Sequence, residues 1–330
     1  MAYDNPAVHG ERNHANKGGK MIHTVTLNPA LDKTVVVPNL TVDAVNRITE
    51  LRQDAGGKGI NVSKVIAKLG GQSEAIAILA GGTGAWIKAA LEEAGITVRA
   101  IEVEGETRTN LKVVDPVKHE NTDINEPGPV VTDAMLDELL EKLAREIPEG
   151  DIVVISGSVP KGVAEDTYAK WVAQMRASGK KVFLDVDGIQ LHNALKHCPY
   201  FTKPNNHELA ALLGRELATD DDIAAAAREL NGTGVKKVVI SMGGDGAIMA
   251  TDEGVWHASP VKVPVGSTVG AGDSVVAAFA YAEELGMGIE ETLKLAMATG
   301  AANVMQSGTQ AAERSVVDSL IDRVVVTKIA

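Results

Sequence analysis

Short apolar runs alternate with amphipathic segments along much of the chain. The apolar runs are rich in β-branched residues and predict strands at 22–28, 75–79, 152–156, 181–185 and 237–241. The amphipathic segments repeat their apolar positions at helical spacing and predict helices near 59–69, 84–94, 133–146, 164–178 and 221–231. This alternation predicts an α/β fold, in which helices cover both faces of a mostly parallel sheet. Ligands of such sheets bind beyond the carboxyl ends of the strands.

Two other stretches, about 33–54 and 98–125, contain many Val, Thr and Ile residues with interspersed charges and little helical periodicity. They predict a small β-sheet outside the main core. From Gly270 onward the chain is rich in alanine, and the pattern predicts helices at 270–285, 290–306 and 315–323. No linker separates two equal halves, so we expect one α/β domain over 21–330 with the small sheet as an appendage.

Charge and composition narrow the possible functions. The 330 residues include 32 basic and 44 acidic side chains, and the net charge of −12 argues against nonspecific binding to nucleic acid or an anionic membrane. The single cysteine excludes an intrachain disulfide, and no apolar run approaches the roughly 20 residues of a membrane helix. We therefore expect a cytoplasmic protein. Residues 1–20 are polar and lack periodicity, which is typical of a disordered leader or an added segment.

The strongest chemical signal is the run Ser267-Thr268-Val269-Gly270-Ala271-Gly272-Asp273. It precedes an apolar helical segment, so Gly270, Ala271 and Gly272 leave backbone N–H groups and the positive helix end free to bind an anion. Beside such a site, Asp273 could act as general base for a hydroxyl group that attacks a phosphoryl group. The alternative is that Asp273 is an ordinary acidic residue in a helix first turn.

A second glycine-rich run, Ala55-Gly56-Gly57-Lys58-Gly59-Ile60-Asn61, also leads into a helix. Gly56 and Gly57 permit close approach of a sugar to the backbone, and Lys58 can meet a phosphate. The Asn61 amide can bond hydroxyl groups as donor and as acceptor. The spacing differs from that of a Walker phosphate loop, and a flexible turn without any ligand would also need these glycines.

Two further segments are compatible with metal or nucleotide binding. Asn205 and Glu208 stand at a predicted helix start, where they can face a hydrated Mg²⁺ or form a capping box. The other segment follows an apolar run and contains Ser241, Gly243, Gly244 and Gly246. Its glycines could lie against a nucleotide, although a plain hairpin turn requires the same residue types.

These segments, in this order, resemble the PfkB (ribokinase-like) family of carbohydrate kinases. GGKGINVSKVIAKLGG is similar to the first signature of that family and STVGAGDSVVAAF to its second. The resemblance extends from Met21 to the C-terminal helices. It implies a three-layer αβα sandwich with a mostly parallel central sheet and a small β-sheet lid that closes over the sugar. It also implies ATP-dependent phosphoryl transfer with Asp273 as base and Gly270, Ala271 and Gly272 as the anion hole.

The resemblance also implies roles for other residues. The run Thr26-Leu27-Asn28-Pro29-Ala30-Leu31-Asp32 is similar to the opening of the phosphosugar branch of the family. Substrate binding is implied for Asp32, Gly56, Gly57, Lys58, Asn61, Arg108 and Ser158. Nucleotide binding is implied for Ser241, Gly243, Gly244, Gly246 and Asn303, with Asn205 and Glu208 near Mg²⁺ through water. A monovalent cation such as K⁺ is a further implied cofactor.

Within that branch, Lys58 and the run Thr122-Asp123-Ile124-Asn125-Glu126-Pro127-Gly128-Pro129 favour D-fructose 1-phosphate as the acceptor, phosphorylated at its 6-hydroxyl. Tagatose 6-phosphate is the alternative, since kinases for that sugar also carry lysine at this position. A sugar-phosphate-binding regulator without catalysis is the alternative from another class. The resemblance finally implies a homodimer through the small sheets, with ATP and a phosphorylated ketose as the small-molecule partners.

Overall fold

Strands and helices alternate through most of the computed structural model, which describes residues 20–306 and 308–330. The strands are β1 (Ile22–Thr26), β2 (Ala30–Val36), β3 (Glu50–Gly56), β4 (Ser73–Leu79), β5 (Thr97–Glu102), β6 (Thr109–Asp115), β7 (Glu120–Asn125), β8 (Ile152–Ser156), β9 (Lys181–Asp185), β10 (Phe201–Thr202), β11 (Lys237–Ser241), β12 (Ala247–Thr251), β13 (Gly254–Ala258) and β14 (Val326–Lys328). The helices are α1 (Lys58–Leu69), α2 (Gly81–Glu93), α3 (Asp133–Glu146), α4 (Thr167–Ala177), α5 (Gly188–Leu195), α6 (Asn206–Leu213), α7 (Asp220–Gly232), α8 (Ala271–Leu285), α9 (Ile289–Val304) and α10 (Arg314–Ile321). The leader predicted at 1–20 lies, apart from Lys20, outside the described residues.

The larger sheet has ten strands in the order β14-β13-β12-β11-β10-β9-β8-β1-β4-β5. Neighbouring strands from β5 to β11 run parallel, whereas β12, β13 and β14 pair in antiparallel fashion at the other end. The predicted α/β class with a mostly parallel central sheet is therefore confirmed. Among the described residues, none of the helices combines the length and apolarity needed to cross a membrane.

Helices cover both faces of this sheet because its central strands are apolar on both sides. One face packs against α3, α4, α5 and α7 through a core that includes Tyr168, Trp171 and Leu184. The opposite face packs against α1, α8, α9 and α10, and α2 covers the same face near the β5 edge. The stacked rings of Phe183 and Phe201, 4.7 Å apart, lie in that second core. The result is the expected αβα sandwich.

The small sheet has four strands in the order β3-β2-β6-β7. Because the side chains of a strand alternate between faces, the register places Asp32 and Asp54, and also Asp32 and Asn110, side by side on one face. Val35 and Val113 are buried on the other face. The small sheet thus presents one polar and one apolar surface.

The boundaries predicted for the small sheet were partly wrong. Residues 98–102 belong to β5, which pairs with β4 in the larger sheet. The crossover through α2 returns the chain beside β4, where Ile96 joins a core with Ile87 and Leu91 of that helix. Charges interspersed along 98–102 suit an edge strand of either sheet, so composition alone did not separate the two positions.

Candidate active site

A cleft of about 550 Å³ lies between the carboxyl ends of the parallel strands and the polar face of the small sheet. Of the residues singled out in the sequence, it is lined by Asp32, Gly57, Lys58, Asn61, Arg108, Ser158, Asn205, Glu208, Gly270, Gly272 and Asp273. Residues far apart in the chain therefore meet at the sheet edge where α/β proteins bind their ligands.

Asp273 lies in the first turn of α8 and only 6% of its surface is exposed. The amide Nδ2 of Asn61 donates a hydrogen bond of 2.8 Å to its Oδ2. Burial, and then the nearby carboxylate of Asp185, raise the pKa of Asp273 to about 6, although Asn61, Lys58 and Lys203 oppose the rise. A carboxylate with this pKa is charged at neutral pH and basic enough to accept a proton from a hydroxyl group that is losing it.

The turn at 269–272, which leads into α8, presents glycine backbone to the cleft. Gly270 precedes the helix with φ of 79°, a left-handed conformation that glycine adopts without steric cost. Nδ2 of the buried Asn303 donates to the carbonyl of Val269 at 3.3 Å, which fixes the turn from behind. A Cβ added at Gly272 would lie 3.2 Å from Nζ of Lys203, so an ammonium group stands beside the bare backbone. The positive end of the helix dipole and this ammonium group both favour negative charge.

Lys58 and Lys203 flank Asp185 at the base of the cleft. Their Nζ atoms lie 3.7 Å and 3.5 Å from the Asp185 carboxylate. Burial alone would raise the pKa of Asp185, but Lys203 and Lys58 outweigh burial and hold that pKa below its ordinary value. Burial conversely disfavours the Lys58 ammonium, yet Asp185 and Asp273 raise the pKa of Lys58 overall. Lys58 thus remains cationic next to the turn that precedes α8.

Asp32 lies on β2 where the small sheet faces Asp273 across the cleft. Burial raises the pKa of the Asp32 carboxyl group, and a hydrogen bond of 3.1 Å from Nδ2 of Asn110 opposes that rise. A Cβ added at Gly56 would overlap the Asp32 carboxylate. Gly56 is therefore required by the packing of Asp32, although Gly56 itself does not line the cleft.

Arg108 lines the cleft and is anchored to the backbone. Its Nη2 donates to the carbonyl of Asn28 at 3.1 Å, and its Nε donates to that of Pro29 at 3.4 Å. The side chain of Asn28 in turn donates to Oγ of Ser158 at 3.3 Å. These contacts orient a guanidinium group and a hydroxyl group toward the cleft, a pairing that suits a phosphate.

Several buried acceptor atoms in the cleft lack hydrogen-bond partners among the described residues. They are Oγ1 of Thr26 and the Oδ1 atoms of Asn28, Asn61 and Asn110. Each of these asparagine side chains uses its NH₂ group as a donor to another protein group, which leaves its carbonyl oxygen available. A buried polar atom without a partner costs about 1–3 kcal/mol. The cleft therefore fits a ligand that carries several O–H donors.

Asn205 and Glu208 form a capping box at the start of α6, with two reciprocal hydrogen bonds of 2.8 Å. The capping alternative is thus realised, and both side chains still line the cleft. The described residues contain no cluster of three or more His, Cys, Asp or Glu side chains that could enclose a metal ion. This donor set fits a metal held mainly by ligand phosphates and water.

The segment from Ser241 to Gly246 forms the turn between β11 and β12, so the hairpin alternative is also realised. Ser241 forms a β-bridge with Asn205 and its N–H donates to the carbonyl of Pro204 at 3.1 Å, which places this turn next to the cleft. A Cβ at Gly246 would collide with the chain at Ala258, whereas Gly244 borders open space. Nucleotide binding at this turn stays a prediction.

The sequence analysis missed Asp185, Lys203 and Asn110. Asp185 is the last residue of β9, and Lys203 follows β10 directly. Strand carboxyl ends are where functional side chains of parallel sheets gather, so the predicted strand 181–185 did contain a usable signal. Asn110 offered no such signal, because only the pairing of β6 with β2 brings it to Asp32.

Comparison with protein families and curated proteins gives one consistent result. The model for the pfkB family carbohydrate kinases matches residues 25–315. The 1-phosphofructokinase of Xanthomonas campestris pv. campestris is 43% identical, over 78% of this chain and 83% of that protein. The 1-phosphofructokinase of Bacillus subtilis is 35% identical over 94% and 100%. The D-tagatose-1-phosphate kinase of Bacillus licheniformis is 34% identical over 87% and 94%.

Crystal structures of phosphofructokinase-2 from Escherichia coli share the fold. The complex with potassium is 33% identical with a TM-score of 0.87, and the complex with fructose-6-phosphate is 31% identical with a TM-score of 0.85. The tetrameric inhibited form is 32% identical, also with a TM-score of 0.85. Each comparison covers 92% of this chain and 99% of the other.

Proposed function

Since the chain belongs to the pfkB family of carbohydrate kinases, we propose that it transfers the γ-phosphoryl group of ATP to the 6-hydroxyl of D-fructose 1-phosphate. The products are fructose 1,6-bisphosphate and ADP. Two relatives that act on this sugar by name, 43% and 35% identical, support the choice of acceptor.

The observation that carries the proposal is the distribution of polar atoms in the cleft. Acceptors without partners, namely the carbonyl oxygens of Asn28, Asn61 and Asn110, match the O–H donors of a sugar. Cationic side chains also line the cleft, namely Arg108 on the small-sheet side and Lys58 and Lys203 beside Asp185. A sugar with a phosphate at one end and a reacting hydroxyl at the other satisfies this arrangement.

In the proposed reaction, Asp273 accepts the proton of the 6-hydroxyl. The sugar oxygen forms a bond to the γ-phosphorus as the bond between that phosphorus and the β–γ bridging oxygen breaks, and ADP leaves. The N–H groups at Gly270, Ala271 and Gly272, together with Lys203, stabilise the charge on the transferring group. Asn61 holds the Asp273 carboxylate through its hydrogen bond of 2.8 Å. The small sheet acts as a lid that excludes water, which would otherwise accept the phosphoryl group.

Asn205 and Glu208 would hold Mg²⁺ through water, consistent with a capping box that leaves both side chains at the cleft. When bound, the ion would neutralise charge on the phosphate oxygens of ATP. Ser241, Gly243, Gly244 and Gly246, with Asn303, contribute to the nucleotide side. We also propose a monovalent cation requirement, as a homologue was crystallised with potassium. Higher turnover in potassium than in sodium buffers at equal ionic strength is the expected result.

A homodimer through the small sheets is part of the proposal. On the apolar face of the small sheet, Leu51 and Ile124 are more than half exposed, at 53% and 56%. Light scattering should give twice the mass of one chain, and Leu51→Asp should shift the protein toward the monomer. A monomeric parent protein at micromolar concentration would contradict this assignment.

A second acceptor is supported by a specific observation. One relative, 34% identical, is named a D-tagatose-1-phosphate kinase. The sugar in that name carries its phosphate at C1, the same end as in fructose 1-phosphate. Tagatose differs from fructose in the configuration at C4, so the same cleft could hold either 1-phosphate. Tagatose 6-phosphate and fructose 6-phosphate place the phosphate at the opposite end.

The test is a comparison of kcat/KM for fructose 1-phosphate, tagatose 1-phosphate, fructose 6-phosphate and tagatose 6-phosphate with saturating Mg-ATP. Fructose 1-phosphate should exceed each 6-phosphate by at least about tenfold, since a phosphate at the wrong end of the sugar leaves the Arg108 guanidinium without an anionic partner. The Asp273→Asn protein, purified identically, controls for a contaminating kinase. A preference for either 6-phosphate overturns the proposal. Tight binding of sugar phosphates without any turnover would instead favour a regulator.

A further inference from the structure

Asn110 lies in the centre of the polar face of the small sheet. On β6, it pairs with Asp32 of β2 on one side and with Asn125 of β7 on the other. All three side chains line the cleft. Asn110 therefore lies where a ligand would contact the small sheet.

The orientation of the Asn110 amide follows from its neighbour. Nδ2 donates to Oδ1 of Asp32 at 3.1 Å, and the reversed amide would place an oxygen against that carboxylate. The bond determines where the second Asp32 oxygen points. It also leaves Oδ1 of Asn110 buried without a partner among the described residues. Such an acceptor recovers its lost hydration energy only when a donor reaches it.

Asp32 and Asn110 together present adjacent acceptor oxygens to the cleft. Two neighbouring hydroxyl groups of one sugar match this pair. In fructose 1-phosphate the phosphate occupies C1 and the reacting hydroxyl is at C6, so the adjacent secondary hydroxyls are those at C3 and C4.

We propose that Asn110 is a further substrate-binding residue, which orients Asp32 through its N–H and accepts a hydrogen bond from the sugar hydroxyl at C3 or C4 through Oδ1. The inference deepens the proposed function and rests on it. Asn110 thereby contributes to recognition of the configuration at these carbons, where ketose epimers differ.

The first test compares Asn110→Ala with the parent enzyme. The KM for fructose 1-phosphate should rise about 10- to 100-fold, as expected for loss of a hydrogen bond to a charged group plus one to the sugar. The KM for ATP should change less than about twofold, because the hydrogen bond of the Asn110 side chain goes to Asp32 and not to a residue proposed for the nucleotide side. Asn121→Ala, an exposed position near the other end of β7, is the matched control and should leave both constants unchanged.

The second test separates substrate contact from mere support of the sheet. The parent enzyme should lose about 10-fold or more in kcat/KM with either the 3-deoxy or the 4-deoxy analogue of fructose 1-phosphate. In Asn110→Ala, the same analogue and fructose 1-phosphate should differ by less than about twofold, because the partner of that hydroxyl is gone. Asn110→Asp keeps an acceptor but adds a second carboxylate beside Asp32. Its defect in sugar KM relative to the parent should shrink as the pH is lowered and the pair binds a proton.

The outcomes distinguish the inference from the function on which it rests. A parent enzyme that turns over none of the ketose phosphates overturns both. A parent enzyme active on fructose 1-phosphate, with an Asn110→Ala variant whose sugar KM is unchanged, overturns the inference alone. The inference is also overturned if the ratio of kcat/KM for fructose 1-phosphate to kcat/KM for each deoxy analogue is the same in Asn110→Ala as in the parent enzyme. If Asn110→Ala does not fold, the Asn110→Asp pH dependence and the analogue series on the parent enzyme decide.

Discussion

Replacing Asn61 with alanine should shift the pH dependence of the reaction in a direction that the site geometry dictates. Nδ2 of Asn61 donates a 2.8 Å hydrogen bond to the buried carboxylate of Asp273, whose pKa is raised to about 6. This bond stabilises the charged form, so its loss raises the pKa further. Hydrogen bonds to charged groups contribute about 1.5–3 kcal/mol, and one pKa unit corresponds to about 1.4 kcal/mol. The expected pKa of Asp273 in the variant is therefore about 7–8.

The consequence is a loss of activity that depends on pH. A base with a pKa of about 6 is roughly 90% ionised at pH 7, whereas one with a pKa of about 7–8 is ionised to between about half and a tenth. Protonation alone should thus reduce kcat/KM at neutral pH about 2- to 10-fold, and this part of the loss should disappear in alkaline buffer. Any contact between Asn61 and the sugar adds a further loss that is the same at every pH.

The assay is the pH profile of kcat/KM for fructose 1-phosphate. The rate is measured by coupling the release of ADP to a spectrophotometric reporter. The acid limb of this profile reports the essential base of the free enzyme. Asn193→Ala is the control, since that amide bonds the carbonyl of Glu165 on the surface. An acid limb that stays at the parent position in Asn61→Ala would refute the reasoning, whatever the absolute rate.

Three other substitutions test separate parts of the account. Gly56→Ala should raise the sugar KM about tenfold or more, because the new Cβ overlaps Asp32. Gly232→Ala is the control and should be neutral, because its new Cβ meets no atom within 4 Å. An unchanged KM in Gly56→Ala would contradict the packing argument. Arg108→Lys should raise the KM for the sugar about tenfold with little change in the KM for ATP, because lysine lacks the planar guanidinium that bonds both Asn28 and Pro29. An equal change in both constants would point instead to general disruption of the fold. Trp171 is only 1% exposed, so Trp171→Ala should reduce the free energy of unfolding, measured by urea denaturation, by about 3–5 kcal/mol. A loss below about 1 kcal/mol would show that the core is less closely packed than described.

Local sequence patterns predicted most of the fold because they depend on short-range physics. The strands at 152–156 and 181–185 and the helix at 133–146 have the predicted ends, since an apolar run or a capping Thr132 marks each of them. The turn at Gly270 was also predictable, because bare backbone before an apolar helix has few other uses. By contrast, the assignment of 98–102 to the larger sheet depends on how α2 crosses over, which no local pattern specifies.

The candidate site was predictable where one segment carries it and not where several segments meet. Asp273 and Gly272 belong to one run, so their proximity follows from spacing. The group of Lys58, Asp185 and Lys203 comes from three distant segments that only the order of the parallel strands brings together. Asn110 likewise gains its meaning from strand register and an unpaired oxygen, which are properties of the folded chain.

The most direct test of the account is the turnover of Asp273→Asn with fructose 1-phosphate and Mg-ATP. Asparagine keeps an oxygen that can accept the hydrogen bond from Asn61, so calorimetry should show sugar-phosphate and nucleotide binding close to that of the parent. Because the side chain can no longer accept a proton, kcat should fall about 10²- to 10⁴-fold. Turnover near that of the parent enzyme would contradict Asp273 as the base and, with it, the proposed mechanism.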